Sequence, residues 1–353
     1  MTTPADVRLG RHDEAHFIKA DDGVPLTLVR VVGAEPSHRG PVMLVHGVAM
    51  RAEMFRPPVN HTLVQALLDD GWDVWMLNWR GSLDLDPLPW TVDDVAGCDL
   101  PAAVRHVADA TGARNVKVIA HCVGAMAASW ASVAGLIPQV DTIVASGVSL
   151  HPVVPRMARI KLHTLRPLLQ SHEPYVDAAW GDGPERLVPT ITRTAVRWGH
   201  PECSNPTCNM ASFALGAGRP APWLHENLNV ATHDWLTHEF GKVPMSFYHQ
   251  LAISERAGEL VGLGMRDDLP RRLADLPPRP PRARFALFTG QHNRSFLAQS
   301  QRLTHAWLLA HPREQGARPD TLNVVRGYSH TDLFVGRYAW NDTFPRMVAE
   351  LRH

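Results

Sequence analysis

Short apolar runs that alternate with helix-length stretches, interrupted once over a long span, constrain this chain more than any other feature. PVMLVHG (41–47), WDVWMLN (72–78), VKVIAHC (116–122) and VDTIVASGV (140–148) each read as a buried strand. Helix-like stretches at roughly 60–70, 93–111 and 124–136 lie between them. Strands joined by helices imply a parallel sheet covered on both faces. The alternation stops at about 151. The stretch to 282 is rich in Pro, Trp and His, and runs into the stiff linker LPPRPPRAR (276–284). Then it resumes, with a strand ARFALFTG (283–290), a helix over 296–311, a strand TLNVVRGY (321–328) and a closing helix near 343–352. The economical reading is one α/β core, residues 1–150 and 283–353, interrupted by a mostly helical insertion, 151–282. The insertion leaves from the carboxyl end of a strand, where open α/β sheets bind ligands, so it is expected to form a cap.

Composition narrows the function classes. The 353 residues are 45% hydrophobic and 20% charged, an ordinary globular balance. Basic and acidic residues number 35 each, which argues against a nucleic-acid partner. The N-terminus, MTTPADVRLGRHDEAHF, lacks the apolar core of a signal peptide, and no window is apolar enough to span a bilayer. Four cysteines are too few for a disulfide scaffold in a chain of this length. A reduced, cytoplasmic protein is expected. The oligomeric state is left open.

The chemistry-bearing residues fall just after the strands. VKVIA runs into His121-Cys122-Val123-Gly124-Ala125 and then a small-residue helix. This is the strand–turn–helix setting of a nucleophile elbow, with Ala120 and Cys122 in place of the Gly and Ser of G-x-S-x-G. The thiol would sit at a helix N-terminus, which lowers its pKa. The bland alternative is a buried structural cysteine. His46-Gly47-Val48 follows the first buried strand, so the backbone N–H groups of Val48 and Val123 are candidate oxyanion donors. His330, in GYSH (327–330), follows the last strand and is the candidate base. The loop after ARFALFTG offers no carboxylate. Asn293 stands there instead and would orient His330, as in Cys-His-Asn sites. Asp332 is the rival orienter, though its position suits a helix cap better.

VHG, LNWRGS (77–82), CDLPAAVRHVADATG (98–112) and AHCVGA (120–125) resemble the α/β-hydrolase fold, and within it the acid-lipase branch. SLHPVVPR (149–156), ECSNPTC (202–208), LHENLNVATHDWLTHEFG (224–241) and GYSHTDLFVG (327–336) resemble a bacterial hydrolase-like group associated with GMC, cholesterol-oxidase-type proteins. A Cys at the elbow is also similar to polyhydroxyalkanoate synthases, but their second elbow Gly is Ala125 here and their long N-terminal region is missing.

Two functions are therefore open. One is a Cys-dependent hydrolase or acyltransferase acting on a lipophilic ester or acyl thioester through an acyl-enzyme. The other is a non-catalytic hydrolase-fold module that binds lipid or a partner. No cofactor or metal is implied. Cys203 and Cys208, at C-x4-C spacing with His200 and His225 nearby in sequence, read as a structural or redox-labile thiol pair ahead of zinc. Trp180, Trp198, Trp223, Trp235 and Phe240 read mainly as the insertion's own core, with some available to line an acyl or sterol pocket.

Overall fold

The computed structural model describes residues 12–182, 187–199, 202–280, 282–314 and 316–352. Eight strands form one sheet in the order β1-β2-β4-β3-β5-β6-β9-β10. From one edge to the other these are β1 (His12–Lys19), β2 (Pro25–Val32), β4 (Asp73–Asn78), β3 (Pro41–Val45), β5 (Val116–His121), β6 (Val140–Ser146), β9 (Arg284–Gly290) and β10 (Thr321–Val325). From β4 to β10 every pairing is parallel, while β1–β2 and β2–β4 are antiparallel. The six parallel strands are those expected from the apolar runs. β3, β4 and β9 are buried at every position, as strands covered on both faces must be. The sequence reading has no counterpart for β1 and β2. Their exposure alternates, and β1 lies at the edge, so neither presents a continuous apolar run.

Helices cover both faces. Helix α1 (Leu63–Asp69) starts where the Thr62 hydroxyl accepts from the Gln65 N–H at 3.1 Å. It packs on β4 and against the C-terminal helix, while α2 (Leu100–Thr111) and α3 (Val123–Val133) pack on each other and on β3 and β5. Trp75, Trp79, Trp130, Phe285 and Phe288 are fully buried in the resulting core. Two motifs of the resemblance meet inside it. Arg80, from LNWRGS, bonds Asp99, from CDLP, through its backbone N–H at 2.9 Å and its Nε at 2.8 Å. Both side chains are buried.

Between β6 and β9 the chain forms the helices Arg156–Ile160, Arg166–Leu169, Leu187–Gly199, α4 (Pro206–Leu215), Val230–Leu236 and α5 (Met245–Ala257). A small antiparallel pair, β7 (Tyr175–Asp177) and β8 (Lys242–Pro244), ties two distant parts of this stretch together. After it come α6 (Gln299–Ala310) and α7 (Phe344–Leu351). Among the described residues, no helix is long and apolar enough to cross a membrane.

Candidate active site

Because β3, β5, β9 and β10 run parallel, the segments that follow them emerge on one edge of the sheet. Val48, Cys122, Asn293 and His330 all come from these segments. Cys122 lies between β5 and α3 with φ 54° and ψ −121°, a left-handed conformation that costs a non-glycine residue about 1–3 kcal/mol. Its N–H donates to Ser146 O at 2.9 Å, and its carbonyl accepts from the Met126 N–H at 3.0 Å, so the turn is held from both sides. Gly124 makes room for it. A Cβ there would lie 2.4 Å from the His46 carbonyl oxygen, so α3 can pass beneath the His46 loop only without a side chain at this point.

The backbone N–H groups of Val123 and Val48 lie close enough to the Cys122 sulfur to favour its thiolate. Even so, burial pushes the thiol up to about 12. This reverses the expectation of a thiol acidified by the helix N-terminus. Two backbone dipoles do not offset the cost of a thiolate in a dry site. The amine of Lys161, which burial lowers to about 7, is directed elsewhere, onto the carbonyls of Phe213 and Gly216.

His330 is buried, and burial pushes its imidazole down to about 3, so the ring is neutral. Its Nδ1 lies 3.0 Å from Asn293 Nδ2. The direction of this bond is fixed by the rest of the amide. Asn293 Oδ1 accepts from the backbone N–H groups of Ser295 (3.1 Å) and Phe296 (3.0 Å), which can only donate. The amide nitrogen therefore faces the ring and donates to Nδ1, which places the imidazole proton on Nε2. That Nε2 has no hydrogen-bond partner among the described residues.

Asp332 turns away from the ring. Its carboxylate accepts from the Ser329 N–H (2.9 Å), the Leu224 N–H (3.3 Å) and Asn227 Nδ2 (2.7 Å), and burial pushes it up to about 7. The expected helix-capping role is also corrected: Asp332 begins the short helix Asp332–Val335, makes no cap bond there, and instead joins the His330 loop to the insertion. The insertion grips the same loop through its backbone, where Pro222 O accepts from the N–H groups of His330 (3.0 Å) and Thr331 (2.8 Å). Gly290 permits the crossing of the β9 and β10 loops, since a Cβ there would lie 1.9 Å from Ser329 O.

Two further histidines complete the cluster, and the sequence reading gave neither a role. The His121 ring is 4.5 Å from that of His330. His46 stacks on Trp79 at 5.0 Å. Burial keeps both neutral, with His46 at about 3. Their positions beside the elbow and the Val48 turn were the only signal in the sequence.

Cys122 and Val48 sit at one end of a pocket with about 730 Å³ of space, part of it open to solvent. Ala158, Leu162, Leu165, Phe213, Phe247, Leu251 and Phe296 form its apolar walls, most of them from the insertion. Of the five insertion aromatics singled out in the sequence, none lines it. Trp223 stacks on Phe240 at 5.7 Å within the insertion's core, and Trp198 is exposed. Beyond the pocket, Cys203 and Cys208 are free thiols that meet His225 and His233. His200 lies outside the described residues.

The family described as alpha/beta hydrolase fold matches residues 40–180. Triacylglycerol lipase 2 of Arabidopsis thaliana is 30% identical over 161 residues, 40% of this chain and 37% of that one. Lysosomal acid lipase/cholesteryl ester hydrolase of Homo sapiens is 30% identical over 132 residues, 33% of each chain. The chain thus spans about a third of the length of these curated relatives. An esterase from Thermogutta terrifontis superposes with a TM-score of 0.56 at 11% identity, covering 96% of this chain and 100% of that one. The sheet order and the elbow give the chain the α/β-hydrolase fold, and about a third of it is similar in sequence to lipases.

Proposed function

We propose that the protein removes or transfers the acyl group of a lipophilic ester or thioester, with Cys122 as nucleophile. The observation that carries this reading is the Cys122 thiol, held in a strained elbow, beside the N–H groups of Val48 and Val123, and open to an apolar pocket. Sγ attacks the acyl carbonyl and forms the S–C bond. His330 Nε2 takes the thiol proton and delivers it to the leaving alcohol or thiol as its bond to the acyl carbon breaks. Water or an acceptor alcohol then attacks the thioester and releases Cys122. The Val48 and Val123 N–H groups would meet the oxyanion.

The proton transfer requires the other imidazole tautomer, with Nδ1 protonated and in need of an acceptor. Turning the Asn293 amide over would supply one, at the loss of its bonds to Ser295 and Phe296. This favours a second reading, a hydrolase-fold module that holds an acyl chain without turning it over. The experiment is incubation of the full chain with activated acyl esters and acyl thioesters of graded length, followed by intact-mass measurement. A single acyl adduct, absent from Cys122→Ala, is expected. Turnover that survives Cys122→Ala overturns the mechanism. Retention of fatty acid without adduct or turnover establishes the second reading.

Three further points belong to the proposal. Residues 151–282 act as a cap over Cys122, with residues 1–150 and 283–353 as the core. The motifs around ECSNPTC and GYSHTDLFVG support kinship with the GMC-associated hydrolase-like group. A reducing, cytoplasmic setting suits a free reactive thiol.

A further inference from the structure

The insertion places two thiols and two imidazoles at one point. Cys203 comes from the turn before α4, Cys208 from the first turn of α4, His225 from the turn His225–Asn227, and His233 from the helix Val230–Leu236. One ligand atom from each lies within 4.8 Å of all the others. Cys203 Sγ is 3.5 Å from His233 Nε2, and Cys208 Sγ is 3.4 Å from His225 Nε2. We propose that Cys203, Cys208, His225 and His233 bind one structural Zn²⁺ in a tetrahedral Cys2His2 site.

Three observations carry this. The first is metric. With metal–sulfur bonds of about 2.3 Å and metal–nitrogen bonds of about 2.0–2.1 Å, the sulfur–nitrogen edge of a tetrahedron is about 3.5 Å, which matches both pairs. The second is chemical. Two thiolates neutralise a divalent cation, so the partly buried cluster would carry no net charge, and mixed sulfur and imidazole donors favour zinc over magnesium or calcium. Binding breaks two S–H bonds, forms two S–Zn bonds and releases both protons to solvent. The third is the surroundings. The Asn205 N–H points at Cys203 Sγ at 3.3 Å, the kind of outer bond that orients a thiolate ligand. Asn205 Oδ1 accepts from the N–H groups of Thr207 and Cys208, which fixes the turn between the two cysteines.

The site gives this part of the insertion a cross-link that its short helices do not provide. The chain between Cys208 and His225 holds Phe213 and Gly216 of the pocket wall, and Pro222, whose carbonyl receives the N–H groups of His330 and Thr331. The metal is thus a positioning element for the His330 loop, whether or not Cys122 carries out acyl transfer.

Elemental analysis of the full chain, purified in reductant without chelator, should find one zinc per chain. Cobalt exchanged into it should show the intense visible absorption of a tetrahedral thiolate site. Alkylation mapped by peptide mass should spare Cys203 and Cys208 until a chelator is added. Chelation should then speed hydrogen exchange at the amides of His330 and Thr331. Cys203→Ser and His233→Ala should each lower zinc at least tenfold. If these variants do not fold, release of one zinc equivalent from the unmodified chain by a mercurial reagent decides the matter. A folded protein that holds no zinc and takes up no cobalt overturns the proposal, as does a Cys203–Cys208 disulfide in the native protein.

Discussion

At Asn293, one atom decides what His330 can do. A carboxylate at this position would accept from Ser295, Phe296 and a protonated Nδ1 together. The amide can serve the two backbone groups only by presenting its N–H to the ring. Asn293→Asp should therefore move the His330 proton to Nδ1, raise the imidazole pKa and speed acylation of Cys122, on the order of tenfold or more. Stopped-flow measurement of leaving-group release in the first turnover checks this, and an unchanged or slower rate would refute the tautomer argument. The candidate residues were legible because each follows a strand that was itself legible. The direction of the Asn293 bond was not, since it depends on two backbone groups that approach only once the loop has folded. The high thiol pKa was hidden for a similar reason, because burial at the elbow outweighs the local helix terminus that the sequence displays.

Among the elements, the His330 loop is one of the places where core and insertion join, beside pairs such as Arg51–Glu239 and Asp93–Gln250. Asp332 receives one donor from its own loop and two from the insertion, all with little access to water. Asp332→Ala leaves the Ser329 and Leu224 N–H groups without their acceptor and the Asn227 amide with only the Gly327 carbonyl. The expected cost is about 2–5 kcal/mol of stability, together with loss of acylation as His330 shifts. Denaturant unfolding combined with the adduct assay tests both. A variant of unchanged stability would remove Asp332 from this role. Local reading assigned Asp332 to a helix cap because Leu224 and Asn227 are more than 100 residues away in sequence. The parallel strands could be read because burial on both faces leaves a continuous apolar run. β1, at the edge, and β2 beside it are partly exposed and left none, and the insertion's short helices leave no long periodic stretch. Of the Cys2His2 cluster the sequence offered Cys203, Cys208 and His225 but ranked zinc second, since His233 joins them only through tertiary folding.

For the molecule as a whole, buried titrating groups set the response to acid. Burial lowers the imidazoles of His46 and His330 to about 3 and His151 to about 4, and holds His121 well below its usual value. Between those values and about 6.5 the unfolded chain binds protons there that the folded chain does not, so stability falls as the pH drops through this window. Asp99, raised to about 6, and Asp332, raised to about 7, act in the opposite sense, since the folded form holds their protons over the same range. His106 adds to the imidazoles, and Asp93 and Glu239 add to the raised carboxyls, but the buried imidazoles are shifted most, so unfolding near pH 5 takes up protons on balance. Tm should therefore be lower at pH 5 than at pH 7. Calorimetry over this range tests the sign, and a Tm that rises toward pH 5 would reverse it.

The carbonyl of Pro222 has a consequence for traffic through the protein. It holds the backbone of His330 from the side of the insertion, so that side of the roof and the proposed base travel together. A roof that swung wide on this side would carry His330 off with it and dismantle the centre it shelters. A guest is then expected to reach the pocket, which Ala158, Leu162 and Leu165 help to wall, without that side swinging open.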